Sequence, residues 1–169
     1  MKIERKSLAR YLVLILLFLL AAVSERIYFG ETEYRILTRR AEKTVARKSE
    51  KMLAALETLR ETGFTDESIR LLSGRIDFEA LDRQGITLLV FSDDSLVFWS
   101  NNSMEIPEGL PGKTARGGVL FIHNGYFLAH SVESAGKVYV GLLRLYCRYD
   151  IVNSHIRRGF PEFYGLPAA

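Results

Sequence analysis

Hydrophobic positions follow three different patterns along this chain. The first is an unbroken run, Tyr11–Val23 (YLVLILLFLLAAV), with no charged residue. As a helix this run rises ~20 Å, less than the ~30 Å hydrocarbon core of a bilayer. Alone it suits the core of a secretory signal, and Ala22-Val23-Ser24 offers small residues for cleavage. Extended to Ser7–Phe29 it rises ~34 Å, long enough to span. Arg10, Glu25 and Arg26 then lie at head-group depth, where long side chains snorkel, and Tyr28 and Phe29 suit the interface. The retained anchor, residues 11–29, is the preferred reading; release by cleavage after Ser24 is the alternative. Lys2, Arg5, Lys6 and Arg10 precede the run, whereas few Lys or Arg follow closely, chiefly Arg26 and Arg35. That bias puts residues 1–10 in the cytoplasm and the bulk of the chain outside it, as a single-pass protein of the inner (cytoplasmic) membrane.

The second pattern is helical. Glu31–Glu61 contains no Gly or Pro and is rich in Glu, Lys, Arg, Ala and Leu. Tyr34, Leu37, Ala41, Val45, Met52, Leu56 and Leu59 recur at steps of three, four and seven, which is one stripe interrupted at Lys48 and Ser49. Such a helix rises ~45 Å, longer than one small sheet covers. Its membrane-proximal half is therefore expected to pair with a second copy, giving a homodimer through residues 30–62. An ordinary amphipathic helix on a single domain satisfies the same stripe. Gly63 ends the helix. Thr65 reads as the N-cap of a short helix that Gly74 stops, and Asp77 as the cap of another, Phe78–Gln84, ended by Gly85.

The third pattern is a series of short β-rich runs. Ile86–Phe91, Leu96–Trp99, Val119–Ile122, Tyr126–Val132 and Lys137–Leu145 predict five strands. Asp93-Asp94-Ser95, Asn124-Gly125 and Ser134-Ala135-Gly136 predict the hairpin turns, with both central positions of Asn124-Gly125 at positive φ. Between the second and third strands, Asn101–Gly118 is a loop with Pro107, Pro111 and several Gly, with room for a helical turn. Short connections make the sheet antiparallel, since parallel crossovers need a dozen or more residues. LLVF, LVFW, VLFI and VYVGLL are apolar at consecutive positions, so both sheet faces should be covered. The long helix suits one face; the loop and short helices suit the other. Tyr149–Arg157 reads as a helix before Gly159 and Pro161. The fold class is α+β, with residues 63–169 as one domain.

Charge adds topology and little chemistry. The formal net charge is +3, and Lys2, Arg5, Lys6 and Arg10 against Glu4 account for all of it. The rest of the chain is neutral, which argues against a nucleic-acid partner. Cys147 is the only cysteine, so there is no intrachain disulfide and no cysteine-based metal site. His123, His130 and His155 match no zinc spacing, no serine sits in a Gly-x-Ser-x-Gly elbow, and no phosphate loop is present. His155 lacks the residues that a phosphoacceptor box places after its histidine. Neither an enzyme nor a cofactor or metal is indicated. Arg144 is the one charge within an apolar strand, and a buried guanidinium needs acceptors. Trp99, Tyr126 and His130 are polar-tipped groups on neighbouring strands, and with Arg144 they form the candidate ligand-binding set.

Three segments carry a resemblance: FSDDSLVFWSNN (Phe91–Asn102), GYFLAHSVESAGKVYVGLLRL (Gly125–Leu145) and YDIVNSHIRRGFPEFYGLP (Tyr149–Pro167). With the order of anchor, long helix, two strands, loop and three strands, the chain resembles the extracytoplasmic PAS-like (PDC, or Cache) sensor region of bacterial transmembrane histidine kinases. The resemblance implies a sensor module of a two-component-type receptor, or a truncated one, lacking the kinase elements. It implies a last strand lying centrally beside the first, and a ligand held between the sheet and Asn101–Gly118. Arg144 would then anchor an acidic ligand. The signal would be a small molecule or envelope stress, passed through the long helix to the membrane. A membrane-tethered protein-interaction domain without a small ligand is the alternative.

Overall fold

A computed structural model describes residues 5–63, 72–102, 104–148, 159–161 and 164; within its long helix, side chains are described for 14–25 and 35–62. The helix Thr65 was expected to start lies mostly outside these residues, as does that over Tyr149–Arg157. The chain divides into two compact units, Met1–Glu42 and Lys43–Ala169. Helix α1, Arg5–Thr62, contributes to both. The apolar run and the amphipathic stretch, expected as successive helices, are one helix. Gly30, its only glycine, costs about 1 kcal/mol against Ala and does not break it.

In the first unit, the side chains of residues 14–25 are all exposed; Phe18 is 78% exposed. A helix apolar on every side has no polar face to give to water. Among the described residues no helix is long and apolar enough to cross a membrane, and the described side chains of this run stop at residues 14 and 25.

The second unit is an α+β domain built on a five-stranded antiparallel sheet. Its strands are β1 (Ile86–Ser92), β2 (Ser95–Trp99), β3 (Gly118–Ile122), β4 (Gly125–Ser134) and β5 (Lys137–Cys147), in the order β2-β1-β5-β4-β3. The last strand lies in the middle, beside the first, as expected. β1 is buried along Ile86–Phe91, and its alternate residues feed two different cores. Ile86, Leu88 and Val90 join Tyr139 and Leu143 of β5 beneath α1, which contributes Met52, Leu56 and Leu59. Leu89 and Phe91 join Val140 and Leu142 on the opposite face, closed by Leu110. The period of two that separates these sets is that of the strand itself.

Lys48 continues the α1 stripe where an interruption was expected. It is 3% exposed, one turn before Met52. The four-carbon stem packs with the apolar neighbours while the amine finds an acceptor. Thr62 ends α1 because Gly63 adopts φ +70°. Gly74 lies inside the helical turn 72–75 and does not stop it. Asp77 caps helix α2 (Phe78–Arg83), its Oδ1 accepting from Ala80 N at 2.8 Å. The expected helical turn in the long loop is α3, Leu110–Thr114.

One turn is displaced by a residue. The β3–β4 turn is His123-Asn124, with Ile122 paired to Gly125, and His123 takes the positive φ of +51°. Gly125 sits in the strand because Phe127 lies over it: a Cβ there would come within 2.6 Å of the ring. The glycine therefore serves close approach, and the turn moves one step back.

Candidate functional site

The sheet face opposite α1 carries a roofed hollow. Alternation along β5 places Arg144 on the same face as Val138, Val140 and Leu142. Phe127 stands opposite Arg144 on β4. The roof comes from the loop after β2, where Met104, Ile106 and Leu110 pack on this core. Its two ends are tied down. At the start, Ser100 Oγ accepts from Leu88 N at 2.9 Å, and Asn101 Nδ2 donates to Thr87 Oγ1 at 3.1 Å. Ser100 and Asn101 thus extend the β1–β2 pairing beyond Trp99, Ser100 also through its backbone N–H to the Leu88 carbonyl. At the end, Ser131 Oγ donates to the Thr114 carbonyl at 3.0 Å.

Beneath this roof lies a cavity of about 400 Å³, bordered by Met104, Glu105, His123, Phe127, Arg144 and Cys147 among others. At the rim, Glu105 and His123 approach to 4.0 Å, and both are exposed. A second cavity of about 270 Å³ lies at Pro107, Leu110, Lys113 and Phe121, sharing Ile122 and His123 with the first. The larger space suits a small ligand with an apolar part against Phe127 and Met104 and one acidic group toward Arg144. Glu105 at the rim disfavours a second negative charge.

Of the four residues expected to bind, Arg144 alone borders the cavity. Trp99 pairs with Leu89 and shares that face, but on edge strand β2, two strands from β5, with 51% exposure. Tyr126 and His130 belong to the opposite face: His130 stands across from Gly141, over which Met52 lies. The Tyr126 ring instead meets Phe121 at 4.9 Å and Tyr146 at 6.2 Å. Phe127, Glu105 and His123 were not anticipated. Phe127 sits one residue from Tyr126, and the strand period decides between them.

The helix face holds a second polar arrangement. Lys48 Nζ donates to the Gln84 carbonyl at 2.8 Å and lies 5.5 Å from the centre of the Tyr164 ring. Tyr164, itself buried, donates from its hydroxyl to the Arg144 carbonyl at 2.8 Å. Burial, helped by Arg47 and Lys51, lowers the Lys48 amine from 10.5 to about 8. Burial pushes the Tyr164 hydroxyl up to about 12. Below pH 8 Lys48 is protonated in both folded and unfolded chains, and the cost of burying its charge is present in full. From pH 8 toward 10 the folded chain releases that proton while the unfolded chain keeps it, so stability rises. Above pH 10 Tyr164 opposes the trend, because the unfolded tyrosine ionises first. Denaturation midpoints of the full chain should increase between pH 8 and 10, and Lys48→Met should flatten that slope.

Among the described residues no group of three His, Cys, Asp or Glu side chains is placed to hold a metal ion. No family model, curated protein or solved structure matches the chain.

Proposed function

We propose that this chain is the extracytoplasmic sensor module of a membrane receptor, PAS-like in architecture and anchored through residues 11–29. The observation that carries the reading is one arrangement: a β2-β1-β5-β4-β3 sheet with α1 on one face and a loop-roofed cavity at Arg144 on the other. The ligand is a small monocarboxylate. Its binding orders the roof, and the α1 segment packed on the opposite face carries the change toward the membrane. The run around Leu14–Val23, apolar on all sides, supports the anchor, and the Lys and Arg at positions 2–10 support a cytoplasmic amino terminus.

The test joins location to binding. A reporter fused after Ala169 should be active only outside the cytoplasm, and cytoplasmic activity would overturn the sensor reading. The full chain in detergent micelles should gain thermal stability with monocarboxylates such as acetate, more than with dicarboxylates such as succinate. No shift with either removes the ligand from the proposal.

A further inference from the structure

We propose that β3 is an interface strand: a second copy of this chain pairs with its open edge about a two-fold axis at Leu120, joining two five-stranded sheets into one. The inference uses only the second unit and stands apart from the receptor reading.

The backbone supplies the first argument. β3 lies at the sheet edge, and among the described residues only β4 pairs with it. The two-residue turn His123-Asn124 makes Ile122 and Gly125 a hydrogen-bonded pair. The ladder alternates, so Leu120 and Gly118 also bond to β4. The N–H and C=O groups of Val119 and Phe121 therefore point to the open edge. An antiparallel partner centred on Leu120 sets Val119 opposite Phe121 of the second copy, and Phe121 opposite its Val119. Those are the residues with outward groups, so four backbone hydrogen bonds form with none left over.

The side chains supply the second. Val119 is 59% and Phe121 54% exposed, and both lie on the α1 side of the sheet, where their β4 partners are Leu128 and Tyr126. Exposed Tyr126 and Phe160 extend the apolar surface. The two-fold pairing brings each Val119 against a Phe121, an aliphatic–aromatic pair across strands. β3 carries no Lys, Pro or charge of the kind that protects an open edge. Charge complementarity favours a second copy as the occupant. The same register sets exposed Arg116 beside the second copy's His123-Asn124 turn, where Glu105 stands 4.0 Å from His123.

Single cysteines at positions 118–122, in a full-length Cys147→Ala chain in detergent micelles, test this under mild oxidation. Leu120→Cys sits on the axis in a non-hydrogen-bonded pair, with Cα atoms ~4.5 Å apart, within disulfide range. It should crosslink several-fold faster than its neighbours, whose symmetry mates are farther away. Phe121→Pro removes an outward N–H and no bond to β4, so it should abolish the Leu120→Cys crosslink while the circular dichroism stays native. A flat profile, a maximum elsewhere in β3, or no crosslink in a folded chain overturns the proposal; the last is also what an unrelated partner on this edge would give.

Discussion

Gly141→Leu should destabilise the domain by about 3 kcal/mol, and adding Met52→Ala should cost less than it does in the unmodified chain. Gly141 lies at the centre of the middle strand, paired with Leu88 on one side and His130 on the other. α1 crosses directly above. A Cβ at Gly141 would stand 2.9 Å from Met52 Cγ and 3.1 Å from its sulfur, with Leu56 Cδ2 at 3.8 Å. One methyl is absorbed by bending the methionine, so Gly141→Ala should cost only about 1 kcal/mol. A leucine cannot be absorbed without lifting the helix. Met52→Ala alone opens a cavity and costs about 3 kcal/mol, because Met52 is fully buried. Together the changes exchange volume across the contact, and the double variant should be more stable than the sum of the singles by about 2 kcal/mol. Chemical denaturation of the four proteins measures this. Additive losses would mean that α1 does not rest on the sheet at this point.

Arg144→Met should abolish stabilisation by monocarboxylates and leave the free domain nearly as stable. The change keeps the apolar stem against Phe127 and removes the charge. Arg144 is half-buried, and pairs of that exposure contribute about 1 kcal/mol or less. Breaking a fully buried pair would instead cost about 3–5 kcal/mol. The two magnitudes separate the roles. A small loss in the free protein together with a vanished acetate shift makes Arg144 the anchor of the ligand. A loss above 3 kcal/mol makes it a structural residue and empties the proposed site. Glu105→Gln supplies the complementary sign: with the rim charge gone, succinate should approach acetate in effect.

The sheet was legible because its signals are local. Five β-rich runs lie between turn residues; their consecutive apolar positions call for covers on both faces, which the two cores supply to β1 and β5, whereas Trp99 of β2 and Val119 and Phe121 of β3 stay exposed. What was not legible depended on partners far along the chain. Lys48 looked like a break in the stripe; the Gln84 carbonyl that receives its amine is 36 residues away. Asn124-Gly125 carried a turn signal, but the Phe127 ring claims the glycine for close packing. Tyr126 and His130 have polar tips suited to a ligand but lie on the face away from Arg144. The turn decides the register: with Ser134 paired to Lys137 across a two-residue Ala135-Gly136 turn, Phe127 and not Tyr126 stands opposite Arg144. Glu105 and His123 meet only because the loop after β2 returns to the β3–β4 turn, a closure that no local pattern encodes.

The position of β5 has a kinetic consequence. The strand made last is the one in the middle, so its pairing with β1 closes a loop of about fifty residues, an entropic cost met before any contact between them forms. Until then β1–β2 and β3–β4 are separate hairpins, and an isolated hairpin is marginal in water. The β4–β5 hairpin, joined by the tight Ala135-Gly136 turn, is the local unit on which the rest can condense. Folding should therefore be slow for a domain of this size, as expected where non-local pairing dominates. Changes in that turn should alter the folding rate, whereas changes in the β1–β2 turn at Asp93-Asp94 should alter mainly the rate of unfolding.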